Sequence, residues 1–141
     1  LMLNPSLLVC DEPTSALAVS VQEQILCLLE PIRDQKQLSY LFISHDLAVV
    51  ARIADEVAVM RRGLVVEQAT PETLFHNPQH PYTKALIAAQ PEPDIHRPIN
   101  LQLVAQGAGR PEDWPEHFRF SGSDAPPLVP LEPGHKVRCH V

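Results

Sequence analysis

Two short aliphatic runs constrain this chain more than any other feature. Leu7-Leu8-Val9-Cys10 ends in Asp11-Glu12-Pro13, and Tyr40-Leu41-Phe42-Ile43 ends in Ser44-His45-Asp46. Apolar runs of this length bounded by turn residues predict fully buried strands, of the kind found in parallel sheets covered on both faces. Between them Val21, Ile25, Leu28, Leu29 and Ile32 fall at the spacing of one helical face, with Gln22, Glu23 and Glu30 opposite. Thr14 or Ser20 is placed to cap this helix, and Pro31 is expected to stop or kink it. Strand, helix and strand make a β-α-β unit, whose strands run parallel with a right-handed crossover. Both strands then end at one rim. In open α/β sheets ligands bind in the crevice beyond the carboxyl ends of the strands.

The rest of the chain is read by the same rules. After Asp46, a good helix cap, Leu47, Val50, Ala51 and Ile53 predict a second amphipathic helix. Val57–Met60 and Leu64–Val66 flank Arg61-Arg62-Gly63, a hairpin signal with glycine in the turn. Thr70-Pro71-Glu72 is a cap, a first-turn proline and an acidic residue, so a short helix is expected through Leu74 and Phe75. Pro78 and Pro81 end it, and a last helix is expected from Tyr82 to Gln90. Beyond Gln90 prolines crowd the chain and apolar periodicity fades, with Gln106-Gly107-Ala108-Gly109 and Ser121-Gly122-Ser123 offering nothing to bury. Residues 91–141 are therefore expected to be an appendage, extended or partly disordered. No internal repeat is evident.

With 141 residues, 45% of them hydrophobic, the chain can form one ordinary core. A formal charge of −6, with no basic cluster larger than Arg61-Arg62, argues against nucleic acid as a partner. No apolar segment approaches the roughly 20 residues of a membrane span, and the first residues lack the pattern of a signal peptide. Cys10, Cys27 and Cys139 form no C-x-x-C pair, so free thiols in a reducing cytosol are expected. A core strand within half a dozen residues of Leu1 suggests a piece of something longer.

The strand ends carry the chemistry. Asp11 is suited to hold a hydrated Mg²⁺, a hard cation that prefers oxygen ligands and keeps several waters. Glu12 can orient and deprotonate an attacking water. His45, at the tip of the second strand, lies within reach of the same crevice. Each motif also has a plainer reading: Asp11-Glu12-Pro13 as a turn, Ser44-His45-Asp46 as a helix cap. Their joint occurrence at equivalent tips of one β-α-β unit favours the chemical reading. His76 and His80 have helical metal-ligand spacing, but Pro78 lies between them, so a structural loop role is expected.

LLVCDEPTSALA followed about 30 residues later by LFISHD resembles the second half of an ATP-binding cassette (ABC) domain. VAVMRRGLVVEQATPETLFHNPQHPYTKALIAAQP and PPLVPLEPGHKVRCHV resemble the ATPase subunits of bacterial dipeptide, oligopeptide and nickel importers. The resemblance covers about nine tenths of the chain, with Gln102 to Ala125 the exception. It implies an α/β fold, the C-terminal half of a P-loop NTPase of ABC type with parallel strands and helices, followed by a proline-rich C-terminal extension. It divides the chain into an ATPase part, residues 1–75, and an importer-type extension, residues 76–141. It implies that Leu7 to Asp11 form the Walker B segment, with Asp11 on magnesium through water, and that Glu12 is the catalytic base. By the same resemblance Ser15 to Ala18 are the D-loop, with Ser15 and Ala18 contributing to the cofactor site, and His45 senses the γ-phosphate. ATP and Mg²⁺ are the implied cofactors. The implied partners are transmembrane permease subunits, a second ABC ATPase subunit and the N-terminal half of the cassette. The implied location is cytoplasmic, peripheral on the inner face of the membrane.

The chain departs from that pattern in three places. It contains no G-x-x-x-x-G-K-[ST] loop to cradle phosphates and no L-S-G-G-Q signature, so the chain by itself is expected to bind ATP poorly. Ala18 stands where the D-loop aspartate belongs. Cys139-His140 lacks the further cysteines that a cluster needs, so no iron–sulfur centre is assigned. Beside an ATP-hydrolysing importer subunit stand two alternatives: a catalytically silent fragment or interaction module, and a self-contained metal-dependent hydrolase.

Overall fold

A computed structural model describes residues 5–15, 17–90, 101–121 and 124–140. The chain divides into two compact units, Leu1–Ala54 and Asp55–Val141, each described by itself.

In the first unit, strand β1 (Leu7–Asp11) pairs in parallel with β2 (Ser39–Ile43), and Leu7 lies opposite Ser39 and Asp11 opposite Ile43. Helix α1 (Val19–Lys36) joins them, and α2 (Leu47–Ile53) follows β2. Leu26, Val49 and Ile53 form the buried cluster, with Leu29, Tyr40 and Phe42 packed against it. The Tyr40 hydroxyl donates to the Leu29 carbonyl at 2.9 Å, which ties β2 to α1. This is the alternation of a one-sided sheet, because successive side chains point to opposite faces. Leu7, Val9, Leu41 and Ile43 remain about half exposed on the other face. The expectation of strands covered on both faces is thus corrected: within this unit the two helices supply one cover.

Three local expectations about α1 also change. Pro31 does not end it; the helix runs 18 residues and closes at Gln37, whose left-handed conformation (φ 53°) is a common helix terminator. A proline in a helix interior costs about 3 kcal/mol. Packing of Leu26 and Leu29 on the strands opposes that cost. Neither Thr14 nor Ser20 caps the helix. Ala18 occupies the cap with extended backbone, accepting from the amides of Val21 (2.8 Å) and Gln22 (3.0 Å), and supplies no side-chain acceptor. Ser20 lies inside the first turn, and Thr14 is buried, its carbonyl taking the Gln22 amide group at 3.0 Å. The buried stripe is shifted as well, with Leu26 covered while Val21 and Leu28 are exposed.

The second unit is built on a four-stranded antiparallel sheet in the order β3 (Val57–Arg61), β4 (Leu64–Ala69), β6 (His135–Arg138), β5 (Leu128–Glu132). β3 and β4 form the expected hairpin, with Arg62 (φ 49°) and Gly63 (φ 82°) in the turn. Positive φ at both central residues matches the twist of the flanking strands. Helix α3 (Pro71–His76) begins at Thr70, whose hydroxyl accepts from the Thr73 amide at 3.3 Å. Helix α4 (Pro81–Ala88) begins at His80.

Residues 101–121 and 124–140 are not the loose appendage expected from composition. Helix α5 (Leu101–Ala108) packs on α4, two short 3₁₀ turns (Pro111–Asp113 and Glu116–Phe118) carry the buried Trp114 between them, and β5–β6 complete the sheet. The expectation of disorder for residues 91–100 falls outside the described residues. Gly107, in a segment with no apparent reason to be buried, is buried because it lacks a side chain. A Cβ there would collide with Ala85 and the Pro81 carbonyl, so glycine is what lets the two helices approach.

Two substitutions test this account. Ala18→Asp and its uncharged counterpart Ala18→Asn supply the missing cap and are expected to stabilise the chain by about 1 kcal/mol. The readout is a higher urea midpoint at unchanged slope. Gly107→Ala is expected to lower the midpoint, since either α5 moves off α4 or the backbone of Pro81 gives way.

Candidate functional site

The site is assembled where β1 and β2 end. Beyond Asp11 the ladder continues for one more bond, from the Glu12 amide to the Ile43 carbonyl at 2.9 Å. Glu12 then turns sharply with φ 44°, a left-handed conformation that glutamate rarely adopts. Its carbonyl is held from the far side of Pro13 by the Ser15 amide (3.3 Å) and the Ser15 hydroxyl (3.1 Å). Such non-glycine conformations cost on the order of 1–3 kcal/mol and persist where surrounding bonds determine them.

At the end of β2, Ser44 and Asp46 share the work of starting α2. The Asp46 carboxylate accepts from the amides of Ala48 (3.0 Å) and Val49 (3.3 Å), and the Ser44 hydroxyl accepts from the Asp46 amide (3.0 Å). The cap reading of Ser44-His45-Asp46 is therefore right for its outer members. His45 is left free to point elsewhere, and its Nδ1 lies 3.1 Å from Glu12 Oε1. An ionised carboxylate only accepts, so Nδ1–H donates and Nε2 is the atom left for a ligand. Both side chains are largely exposed, at 71% for His45 and 48% for Glu12, so the pair is open to solvent.

Asp11 is exposed, with no hydrogen-bond or ion-pair partner for its carboxylate among the described residues. Among those residues no three His, Cys, Asp or Glu side chains converge as a metal cage. Magnesium does not require one, since it usually takes one or two carboxylates and keeps its waters. A free carboxylate beside Glu12 fits that use. Of the remaining predicted site residues, Ser15 spends its hydroxyl on the Glu12 carbonyl, and Ala18 stands at the start of α1.

The second unit holds a buried carboxylate that the sequence reading missed, beside a histidine, His80, for which it expected a structural loop role. Glu67, in the middle of β4, is fully buried and accepts from the amides of Gln79 (2.8 Å) and His80 (3.0 Å) and from His135 Nε2 (2.8 Å). Its signal was available, as a charged residue between Val66 and Ala69 in a strand that is otherwise apolar on that face. His80 Nδ1 accepts from the Tyr82 amide at 3.1 Å, while Nε2 is buried without a partner. The ring stands edge-on to Trp114 and Phe118 at 4.7 and 5.2 Å between ring centres. His76 bonds the Glu72 carbonyl on α3. In the terminal hairpin, Gly134 makes the turn (φ 79°), Val137 is core, and Arg138 donates to the carbonyls of Val65 and Pro126.

The two conspicuous segments of the sequence, NPQHPYT and PGHKVRCH, thus meet at Glu67. Comparison with known proteins places these segments in a family. Residues 66–121 match the family described as the oligopeptide/dipeptide transporter, C-terminal region. The whole chain is 44% identical to a probable peptide ABC transporter ATP-binding protein, y4tS, of Sinorhizobium fredii, and covers 43% of that protein. It is 48% identical to the oligopeptide transport ATP-binding protein OppF of Escherichia coli, with 99% of this chain aligned to 45% of that one. Over 69% of its length it is 56% identical to the dipeptide transport ATP-binding protein DppF of Haemophilus influenzae, covering 30% of it. The class so defined is that of the ATP-binding proteins of peptide ABC transporters. Residues 66–121 carry the C-terminal region described for that transporter family, and the chain spans less than half the length of the relatives it matches.

The geometry at His80 makes a pH prediction. Burial, with further contributions from Arg61 and Arg138, pushes the imidazole from its ordinary 6.5 down to about 3. Between those values the unfolded chain binds a proton that the folded chain refuses, so stability rises with pH. The contribution is complete above 6.5 and is lost progressively as pH falls toward 3, at up to about 1.4 kcal/mol per pH unit. Urea midpoints at pH 7.5 and 5.5 are expected to differ, and His80→Asn, which keeps an acceptor for the Tyr82 amide, should remove much of the difference. Equal slopes in both proteins would show that His80 titrates normally.

Proposed function

We propose that this chain is part of the ATP-hydrolysing subunit of a bacterial peptide-type ABC importer, with Glu12 as general base and His45 as its partner. The observation that carries the reading is the 3.1 Å contact between His45 Nδ1 and Glu12 Oε1 at equivalent ends of two parallel strands. Glu12 accepts a proton from an attacking water. Its left-handed backbone sets the carboxylate at the end of β1, and Nδ1–H of His45 holds one oxygen so that the other faces the water. His45 presents Nε2 toward the terminal phosphate. Asp11 holds hydrated Mg²⁺, which, when bound with ATP, neutralises charge on the phosphoryl group being transferred. Ser15 fixes the turn that carries Glu12, and Ala18 leaves the D-loop without its acidic side chain.

Partners follow from the same reading: an N-terminal cassette half supplying the phosphate-binding loop, a second ATPase subunit, and permease subunits at the inner face of the membrane. Hydrolysis then drives solute uptake. The half-exposed aliphatic face of β1–β2 supports a second reading, that the 141 residues alone are catalytically silent. An open apolar face and open strand edges belong to a unit that is completed by further structure.

The two readings separate experimentally. Joined to an N-terminal cassette half, the chain is expected to hydrolyse ATP, with Glu12→Gln lowering turnover by about 10²-fold or more. Unchanged turnover would remove Glu12 from the role of base. Calorimetry of the 141-residue chain with Mg-ATP is expected to show no micromolar binding, and tight binding would defeat the silent reading.

A further inference from the structure

The second unit contains a cavity of about 270 Å³ at the β3–β4 turn, against the 3₁₀ segment. Its wall includes Arg61, Arg62, Glu112, Leu64, Val66 and Phe120. The charges on this wall are not paired with one another. Arg61 is held by one hydrogen bond, from Nη2 to the Gly109 carbonyl at 2.7 Å, and by stacking on Trp114 and Tyr82 at 4.7 and 5.3 Å. No carboxylate lies within ion-pair distance of it among the described residues, and Glu112 has no cationic partner there either. Burial, then the neighbouring Arg62, depress the Arg61 pKa, and Tyr82 and Glu112 offset this only in part.

We propose that this cavity binds a small zwitterion with an apolar side chain, of the size of a free aliphatic amino acid. Arg61 and Arg62 take its carboxylate, Glu112 takes its ammonium, and Leu64, Val66 and Phe120 take its side chain. Three features select this class. The volume lies just below the roughly 300–1,000 Å³ of pockets for drug-sized ligands, which limits the occupant to something smaller than a drug molecule. Two cations and one anion that form no ion pair with one another suit a ligand that carries both charges. Phosphate alone would leave the aliphatic wall unused and would face Glu112 unfavourably. Neither Glu12 nor His45 takes part, so the proposal is independent of the hydrolytic reading.

Trp114 lines the cavity and is the only tryptophan in the chain, so its fluorescence reports occupancy directly. The 141-residue chain is titrated with L-leucine, with 4-methylpentanoate as the carboxylate alone, with 3-methylbutylamine as the amine alone, and with inorganic phosphate. Leucine is expected to give a saturable change with Kd about tenfold or more below either half-molecule, as the loss of one charged hydrogen-bonding group implies. Arg62→Ala and Glu112→Ala alter exposed side chains and are each expected to raise the leucine Kd by about tenfold. Melting temperatures of both variants should match the parent chain. No saturable response to leucine overturns the proposal. So does a response to 4-methylpentanoate or phosphate as tight as that to leucine, or an unchanged Kd in Glu112→Ala.

Discussion

Because Asp11 lies opposite Ile43 in a parallel ladder, β1 and β2 leave the sheet at the same height, and whatever follows them must share one rim. The bond from the Glu12 amide to the Ile43 carbonyl carries the register one residue further. A shift of one strand by one residue would turn that strand's side chains to the opposite face. For β2 it would bury Leu41 and Ile43 under the helices and drive Tyr40 and Phe42 outward, so packing on the helical side defends the register. The contact between His45 and Glu12, 33 residues apart, is a consequence of that register together with two local devices. One is the left-handed Glu12. The other is Asp46, which caps α2 so completely that His45 is not needed for it.

Much of the first unit was legible in the sequence, because strands that end in charged residues and a helix with a 3.6-residue period leave strong marks. Asp46 as a cap and the Glu12–His45 meeting follow from those marks. What was not legible depends on partners rather than pattern. Strand coverage is decided by how many helices are present to pack, which an apolar run does not encode. Pro31 reads locally as a stop, yet tertiary packing of Leu26 and Leu29 opposes its cost. In the second unit, composition misled more seriously. A segment rich in glycine and proline has a low capacity to bury surface, but Gly107 is required by the close approach of α5 to α4, and the prolines set up short turns around Trp114. Glu67 was missed because a single charge in a strand looks like surface.

The exposed aliphatics of β1–β2 bear on how much stability the first unit can command. Full burial of a Leu, Ile or Val side chain contributes about 1.5–3 kcal/mol, so four such residues at half exposure forgo roughly 1 kcal/mol each. Against net domain stabilities of about 5–15 kcal/mol that is a large share. The same unit bears a left-handed glutamate and an interior proline. Chemistry at the strand ends therefore rests on a scaffold with little to spare, which is why covering that face matters more to the reading of function than any single residue at the rim.

Glu67 and His80 are neighbours in a dry interior yet meet opposite demands. Around Glu67 every partner is a donor: two amides from the turn before α4 and the imidazole of His135, so a buried acceptor is satisfied on both oxygens. Around His80 the backbone amide of Tyr82 demands an acceptor at Nδ1, and Arg61 and Arg138 oppose a second proton. The neutral ring is left with Nε2 unpartnered among aromatic edges, where an N–H loses less than a charge would. The backbone path from Asn77 to Pro81 imposes both conditions at once, by turning the amides of Gln79 and His80 toward Glu67 and that of Tyr82 toward the imidazole. Replacing Glu67 by an apolar residue would strand the two amides as well as His135. A strand, a turn and the final hairpin thus depend on one carboxylate, which accounts for the meeting of two sequence segments more than fifty residues apart.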